Sequence, residues 1–148
     1  MEVEQDFKEL LESLNAHDVE YVIVGAYALA FHGVPRFTGD MDILVRPSPE
    51  NAARILSALE DFGFGSLGLV PDDFQKPDHV VQLGVSPIRV DILTSITGVT
   101  WEEADAGKAI GTYGGVQVRF LGRDQVIANK RALGRKKDLA DLESLGEE

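Results

Sequence analysis

Apolar positions recur at helical spacing in residues 4–16, where Phe7, Leu10, Leu11 and Leu14 share one face. The run Tyr21-Val-Ile-Val24 has no polar member and reads as a short buried strand, which Gly25 turns into a helix over about 26–33. A second strand is expected over 41–46, and Pro49 opens a helix to about residue 61 with Ser48 as its N-cap. Residues 61–78 hold Gly63, Gly65, Gly68, Pro71 and Pro77, and read as loop with one short strand. Two hairpins are expected next: 79–83 with 88–93 around Gly84-Val-Ser-Pro87, and 109–113 with 116–120 around Gly114-Gly115. A short helix near 101–107 separates them, and helices over about 123–132 and 135–145 close the chain. The pattern is α+β: a mixed, largely antiparallel sheet flanked by helices. Phe7, Phe31, Phe62, Phe64 and Phe120 are assigned to the core, with Trp101 capping it.

At 148 residues the pattern fits one domain, 1–148, large enough to bury a core without cross-links. The absence of cysteine excludes thiol catalysis, cysteine–zinc sites and disulfides, and leans towards a reducing compartment. The acidic N-terminus has no basic-then-apolar leader, and the longest apolar run is far short of a membrane span, so a cytoplasmic location without membrane contact is expected. A net charge of −11 argues against broad nucleic-acid binding. Yet residues 119–137 carry seven bases (Arg119, Arg123, Lys130, Arg131, Arg135, Lys136, Lys137) against one acid, Asp124. That stretch reads either as a solvated helix surface or as a local phosphate or RNA contact.

The candidate chemistry lies between the first two strands. Asp40 and Asp42 are one residue apart, so on a strand they point the same way, about 7 Å apart at Cα. Neither has a basic neighbour in sequence, and two such carboxylates repel unless a cation sits between them. Mg²⁺ typically takes one or two carboxylates together with phosphate oxygens. Asp91, in Ile88-Arg-Val-Asp-Ile-Leu93, shares its strand face with Arg89. It reads either as a surface acid paired with Arg89 or as a third carboxylate brought beside the first two by strand pairing. Three acids can hold two cations about 3.5–4 Å apart, the arrangement that steadies both oxygens of a phosphoryl transfer. Backbone N–H groups at the Gly25-Ala26 turn favour an anion. Arg36 and Thr38 lie in the loop before the aspartates, where Arg36 could clamp a phosphate or pair with an acid. Lys130 and Lys137 are candidates to reach nucleotide phosphates, whereas His32 reads as a packing or turn histidine. A calcium loop would need more oxygen ligands and a glycine two residues further on. An aspartyl-phosphate phosphatase would have its apolar strand before the first aspartate. A glycosyltransferase Asp-x-Asp shares the chemistry but usually sits in a much longer nucleotide-binding domain.

Gly25-Ala26, then Arg36-Phe-Thr-Gly-Asp40-Met-Asp42, then a later strand bearing Asp91, resemble the DNA polymerase beta-type nucleotidyltransferase superfamily. Within it the chain looks most like the small AbiEii-type and antitoxin-like nucleotidyltransferases, and Gly134-Arg-Lys-Lys-Asp-Leu-Ala-Asp-Leu142 is similar to the end of such proteins. The likeness covers most of the chain and is strongest over 18–46 and 86–94. It implies that Asp40 and Asp42 hold Mg²⁺ or Mn²⁺. Asp91 would complete the site and accept the attacking hydroxyl's proton. Gly25, Ala26 and Tyr27 would lie at the triphosphate. One position departs: the superfamily commonly has Gly-Gly or Gly-Ser in the turn, and alanine keeps the N–H but removes a hydroxyl. No counterpart of the larger members' extra substrate-binding domain is expected within these 148 residues. The resemblance thus implies transfer of a nucleoside monophosphate from a nucleoside triphosphate to an acceptor hydroxyl, on a protein, a tRNA or a small molecule. The rival readings on the same fold are a non-catalytic regulatory protein with a toxin–antitoxin-type partner, and a pseudoenzyme that binds neither nucleotide nor metal.

Overall fold

The computed structural model describes residues 4–35, 39–85 and 88–147. The strands are β1 (Tyr21–Val24), β2 (Asp40–Val45), β3 (Val80–Val85), β4 (Ile88–Leu93), β5 (Ala109–Tyr113) and β6 (Val116–Phe120). The helices are α1 (Gln5–Ala16), α2 (Gly25–Phe31), α3 (Pro49–Leu59), α4 (Asp72–Gln75), α5 (Trp101–Gly107), α6 (Arg123–Leu133) and α7 (Lys136–Ser144). One six-stranded mixed sheet runs in the order β3-β4-β2-β1-β6-β5. The hairpins β3-β4 and β5-β6 and the pair β1-β2 are antiparallel, whereas β2-β4 and β1-β6 are parallel.

Alternation along the strands sorts the side chains between two faces. Tyr21, Ile23, Met41, Ile43, Val90 and Ile92 pack on one side with apolar residues of α1, α3 and α4. Val22, Val24 and Leu44 pack on the other with residues of α2, α5, α6 and α7. Strand β1 is central and covered on both faces, which is why its apolar run is unbroken. Strand β2 is not covered throughout: Met41, Ile43, Leu44 and Val45 are buried, and Asp40 and Asp42 are half-buried. Ser48 caps α3 by accepting from the Asn51 N–H at 3.2 Å. The fully buried Asn51 side chain accepts from Glu20 N–H and donates to the carbonyls of Glu20 and Arg46. That clasp ties the entry of β1 to the exit of β2 and so helps set their register.

The chain departs from its sequence reading in four places. Residues 61–78 contain no described strand. A π-helical turn over Glu60–Phe64, a 3-10 turn over Gly65–Leu67 and α4 take the chain across, with Phe74 of α4 fully buried as the anchor. Gly84 belongs to β3 rather than to the turn, because β3 runs on to Val85. Phe31 is 38% exposed instead of core, stacked on Phe120 with ring centroids 4.3 Å apart. The basic C-terminal stretch is largely engaged within the molecule. Arg119 donates to the Val19 carbonyl, Arg123 to the Leu145 carbonyl, and Lys130 and Arg135 pair with Asp138. Among the described residues no helix is long and apolar enough to cross a membrane.

Candidate active site

The carboxylates gather through register. Asp42 stands opposite Asp91 across the parallel β2-β4 pair and opposite Val24 across the β1-β2 pair. Cross-strand partners share a face, so Asp40, Asp42 and Asp91 lie on one side of the sheet. Val24 leads directly into Gly25, whose φ of +64° turns the chain into α2. A Cβ at Gly25 would run into Asp42 Oδ2, and would sit 3.2 Å from Asp42 Cγ. The glycine is therefore needed twice, for a left-handed backbone conformation and for the close approach of the carboxylate.

Arg89 is the group that the sequence reading left outside the site. It stands opposite Asp40 in β2 on one side and Gly84 in β3 on the other. Its Nη2 donates to Asp40 Oδ2 at 3.2 Å and to Asp91 Oδ2 at 3.4 Å. Its Nε lies 3.1 Å from Asp91 Oδ1, but both atoms are buried and neither makes an aligned hydrogen bond. Asp91 pairs with Arg89 and also stands opposite Asp42. It is not a surface acid, since its side chain is only 14% exposed.

Burial pushes the Asp42 carboxyl up to about 6, and the negative charges of Asp91 and then Asp40 add to the rise; Arg89 and Lys130 offset part of it. Lys130 reaches this field from α6 while its Nζ lies 3.0 Å from Asp141 Oδ2 and 3.4 Å from Asp138 Oδ1 on α7. The folded pKa is above the unfolded one, so the native state holds an extra proton between about pH 4 and pH 6. Stability from this group is greatest below that window and is lost as pH rises through it. In metal-free buffer, Asp42→Asn is expected to stabilise the fold at pH 8 by about 1–2 kcal/mol, allowing for solvent screening of a half-exposed group. At pH 4 it should change little. Urea denaturation at the two pH values checks this, and equal effects at both would contradict it.

The other candidates separate. Ala26 is half-buried at the start of α2. The Tyr27 side chain packs in the core, edge-on to Phe7 and Tyr113. Lys137 is exposed on α7. Arg36 and Thr38 lie outside the described residues. The His32 ring bonds the Leu121 carbonyl at 2.7 Å, a packing role. Among the described residues no three His, Cys, Asp or Glu side chains converge closely enough to hold an ion as they stand. The donor set nevertheless suits a hard cation: three carboxylates on one face, one with a buried oxygen lacking a hydrogen bond, beside a turn shaped to admit another.

No protein-family model matches the chain, and no curated protein does. A solved structure does: the crystal structure of a "putative nucleotidyltransferase" from Thermotoga maritima superposes with a TM-score of 0.60 at 18% identity, over 95% of this chain and 88% of that one. The chain has a nucleotidyltransferase-type fold. At that identity the likeness concerns the fold. On it, the two aspartates of β2, the aspartate of β4 and the Gly25 turn come together on one face.

Proposed function

We propose that this chain is a Mg²⁺-dependent nucleotidyltransferase of the small AbiEii-like kind. The observation that carries the reading is the register of β2 on β4, which sets Asp91 opposite Asp42 with Asp40 two residues away on the same face. Asp40, Asp42 and Asp91 would hold the divalent cation. When bound, it neutralises phosphate charge and aligns attacking and leaving oxygens. The turn at Gly25, Ala26 and Tyr27 would offer backbone N–H groups to the triphosphate, with Lys130, Lys137, Arg36 and Thr38 as further phosphate contacts. An acceptor hydroxyl attacks the α-phosphorus, the bond to the bridging oxygen breaks and pyrophosphate leaves. The hydroxyl proton passes to a carboxylate, for which Asp91 is the candidate because it stands opposite Asp42 with a buried oxygen that makes no aligned hydrogen bond.

A second reading has its own support. The Arg89 guanidinium already lies between Asp40 and Asp91, so two of the three acids have a cation without any metal. A regulatory, antitoxin-like binding protein would need nothing more. Calorimetric titration of each nucleoside triphosphate with Mg²⁺, into the wild type and into Asp40→Asn/Asp42→Asn, tests the nucleotide site, and pyrophosphate release with an acceptor then separates transfer from a regulatory protein that binds nucleotide without turnover. The transferase reading expects metal-dependent binding to the wild type and its loss in the double variant. Failure of every triphosphate to bind would favour the partner-binding protein.

A further inference from the structure

Strand geometry leaves Arg89 little choice of partner. Its cross-strand neighbour in β3 is Gly84, which has no side chain, so the nearest side chain across the strands on that face is Asp40. The next residue along its own strand face is Asp91. The Arg89 side chain is 30% exposed, and those of the two acids it bridges are 39% and 14% exposed. It therefore sits in the space between two of the three carboxylates proposed above to take a divalent cation. Its contacts with them are imperfect: distances run from 3.1 to 3.4 Å, and Nε and Asp91 Oδ1 face each other without alignment. A well-formed guanidinium–carboxylate fork is shorter and doubly aligned.

We infer that Arg89 is the site's resident cation, a positioning residue that holds Asp40 and Asp91 together until a divalent ion displaces it. An ion and a guanidinium on the same pair of carboxylates repel each other, so entry of the ion favours withdrawal of the guanidinium. A withdrawn guanidinium in the same site is well shaped to receive phosphate oxygens in a bidentate fashion. Free cation should then bind weakly, and cation with triphosphate should bind cooperatively, because the triphosphate gives Arg89 somewhere to go.

This rests on the carboxylate site of the proposed function, and the test separates the two. Binding of Mn²⁺ alone is followed by the electron paramagnetic resonance signal of the free ion, in wild type, Arg89→Gln, Arg89→Lys and Asp42→Asn. Removing a competing charge should tighten Mn²⁺ binding in Arg89→Gln by about tenfold without nucleotide. Arg89→Lys should fall between, since it keeps the charge and loses the fork. A triphosphate should strengthen Mn²⁺ binding in the wild type more than in Arg89→Gln. If Arg89 were merely structural, its loss would disorder the acids and weaken Mn²⁺ binding, so an unchanged or weaker affinity in Arg89→Gln with measurable wild-type binding overturns the inference alone. If Arg89→Gln fails to fold, the Lys variant decides: wild-type-like or weaker affinity there overturns the inference. If wild type, both Arg89 variants and Asp42→Asn all leave Mn²⁺ free, the cation site itself is wrong and the inference falls with it.

Discussion

Replacing Gly25 by alanine is expected to cost the fold about 2–3 kcal/mol and, on the proposed transferase function, to abolish metal-dependent triphosphate binding. Two separate penalties add. A φ of +64° costs a residue with a Cβ about 1–2 kcal/mol. The new Cβ would also meet the Asp42 carboxylate, with Cγ at 3.2 Å and Cβ at 3.3 Å as well as the nearer oxygen. Asp42 belongs to a central strand, so it cannot retreat by moving backbone; its side chain must rotate out of the site. Gly134 provides the control. Its φ is +63°, nearly that of Gly25, but the nearest atom to an added Cβ is the Arg131 carbonyl oxygen at 3.7 Å. Gly134→Ala should therefore show the conformational strain alone, about 1–2 kcal/mol, and leave any triphosphate binding unchanged. Urea denaturation and calorimetry on the two variants separate strain from the loss of the carboxylate's place. Equal stability losses, with binding retained in both, would show that Asp42 does not depend on the bare glycine.

The second large effect is expected at Asp138, where α6 and α7 are joined. This carboxylate is fully buried. It accepts from the Arg135 N–H at 3.1 Å and from Arg135 Nε at 2.7 Å, and it lies 3.4 Å from Lys130 Nζ. The hydrogen bonds from the Arg135 side chain do most to hold its carboxyl down at about 2, well below the usual carboxylate range; burial works against them, and the Arg135 N–H and the Lys130 charge help. Asp138→Ala leaves the Arg135 N–H at the helix start and one side of Lys130 without this acceptor, and should cost about 2–3 kcal/mol. Lys130 keeps Asp141 at 3.0 Å, so the junction should weaken rather than separate. Asp138→Asn should cost less, because an amide oxygen can still accept the Arg135 N–H. The pH dependence carries the sign. The folded pKa is below the unfolded one, so this contribution is present above about pH 4 and lost as pH falls towards 2. Wild type and Asp138→Ala should therefore converge in stability across that acid window. Parallel acid-denaturation curves with a constant gap would exclude the charge as the source of the effect.

The Lys130 contacts also explain how a chain of net charge −11 can carry seven bases within residues 119–137 without presenting them all as a patch. Arg119 of β6 reaches the Val19 carbonyl just ahead of β1, Arg123 the Leu145 carbonyl and Lys130 the acids of α7, while Arg135 pairs locally with Asp138 three residues on. Linear charge density could not distinguish Arg119 and Arg123 from bases left to solvent, since their partners, Val19 and Leu145, are carbonyls with no sequence signal.

What was legible in the sequence is what short-range physics decides. Apolar periodicity placed every strand of the sheet to within a few residues. Gly114-Gly115 marked the second hairpin's turn, and the spacing of Asp40 and Asp42 required them to share a face because side chains alternate along a strand. The need for glycine at 25 followed from a strand that ends and a helix that begins at one residue. The tertiary structure alone decided that β4 lies parallel to β2 with Asp91 against Asp42, that Gly84 leaves Arg89 facing Asp40, and that Lys130 pairs with the acids of α7. It also placed Phe31 at the surface and wound 61–78 into helical turns around Phe74. Pairing partner and register depend on which buried faces must meet across the whole chain. A residue's alternation fixes the side it points to, not the strand it will find there.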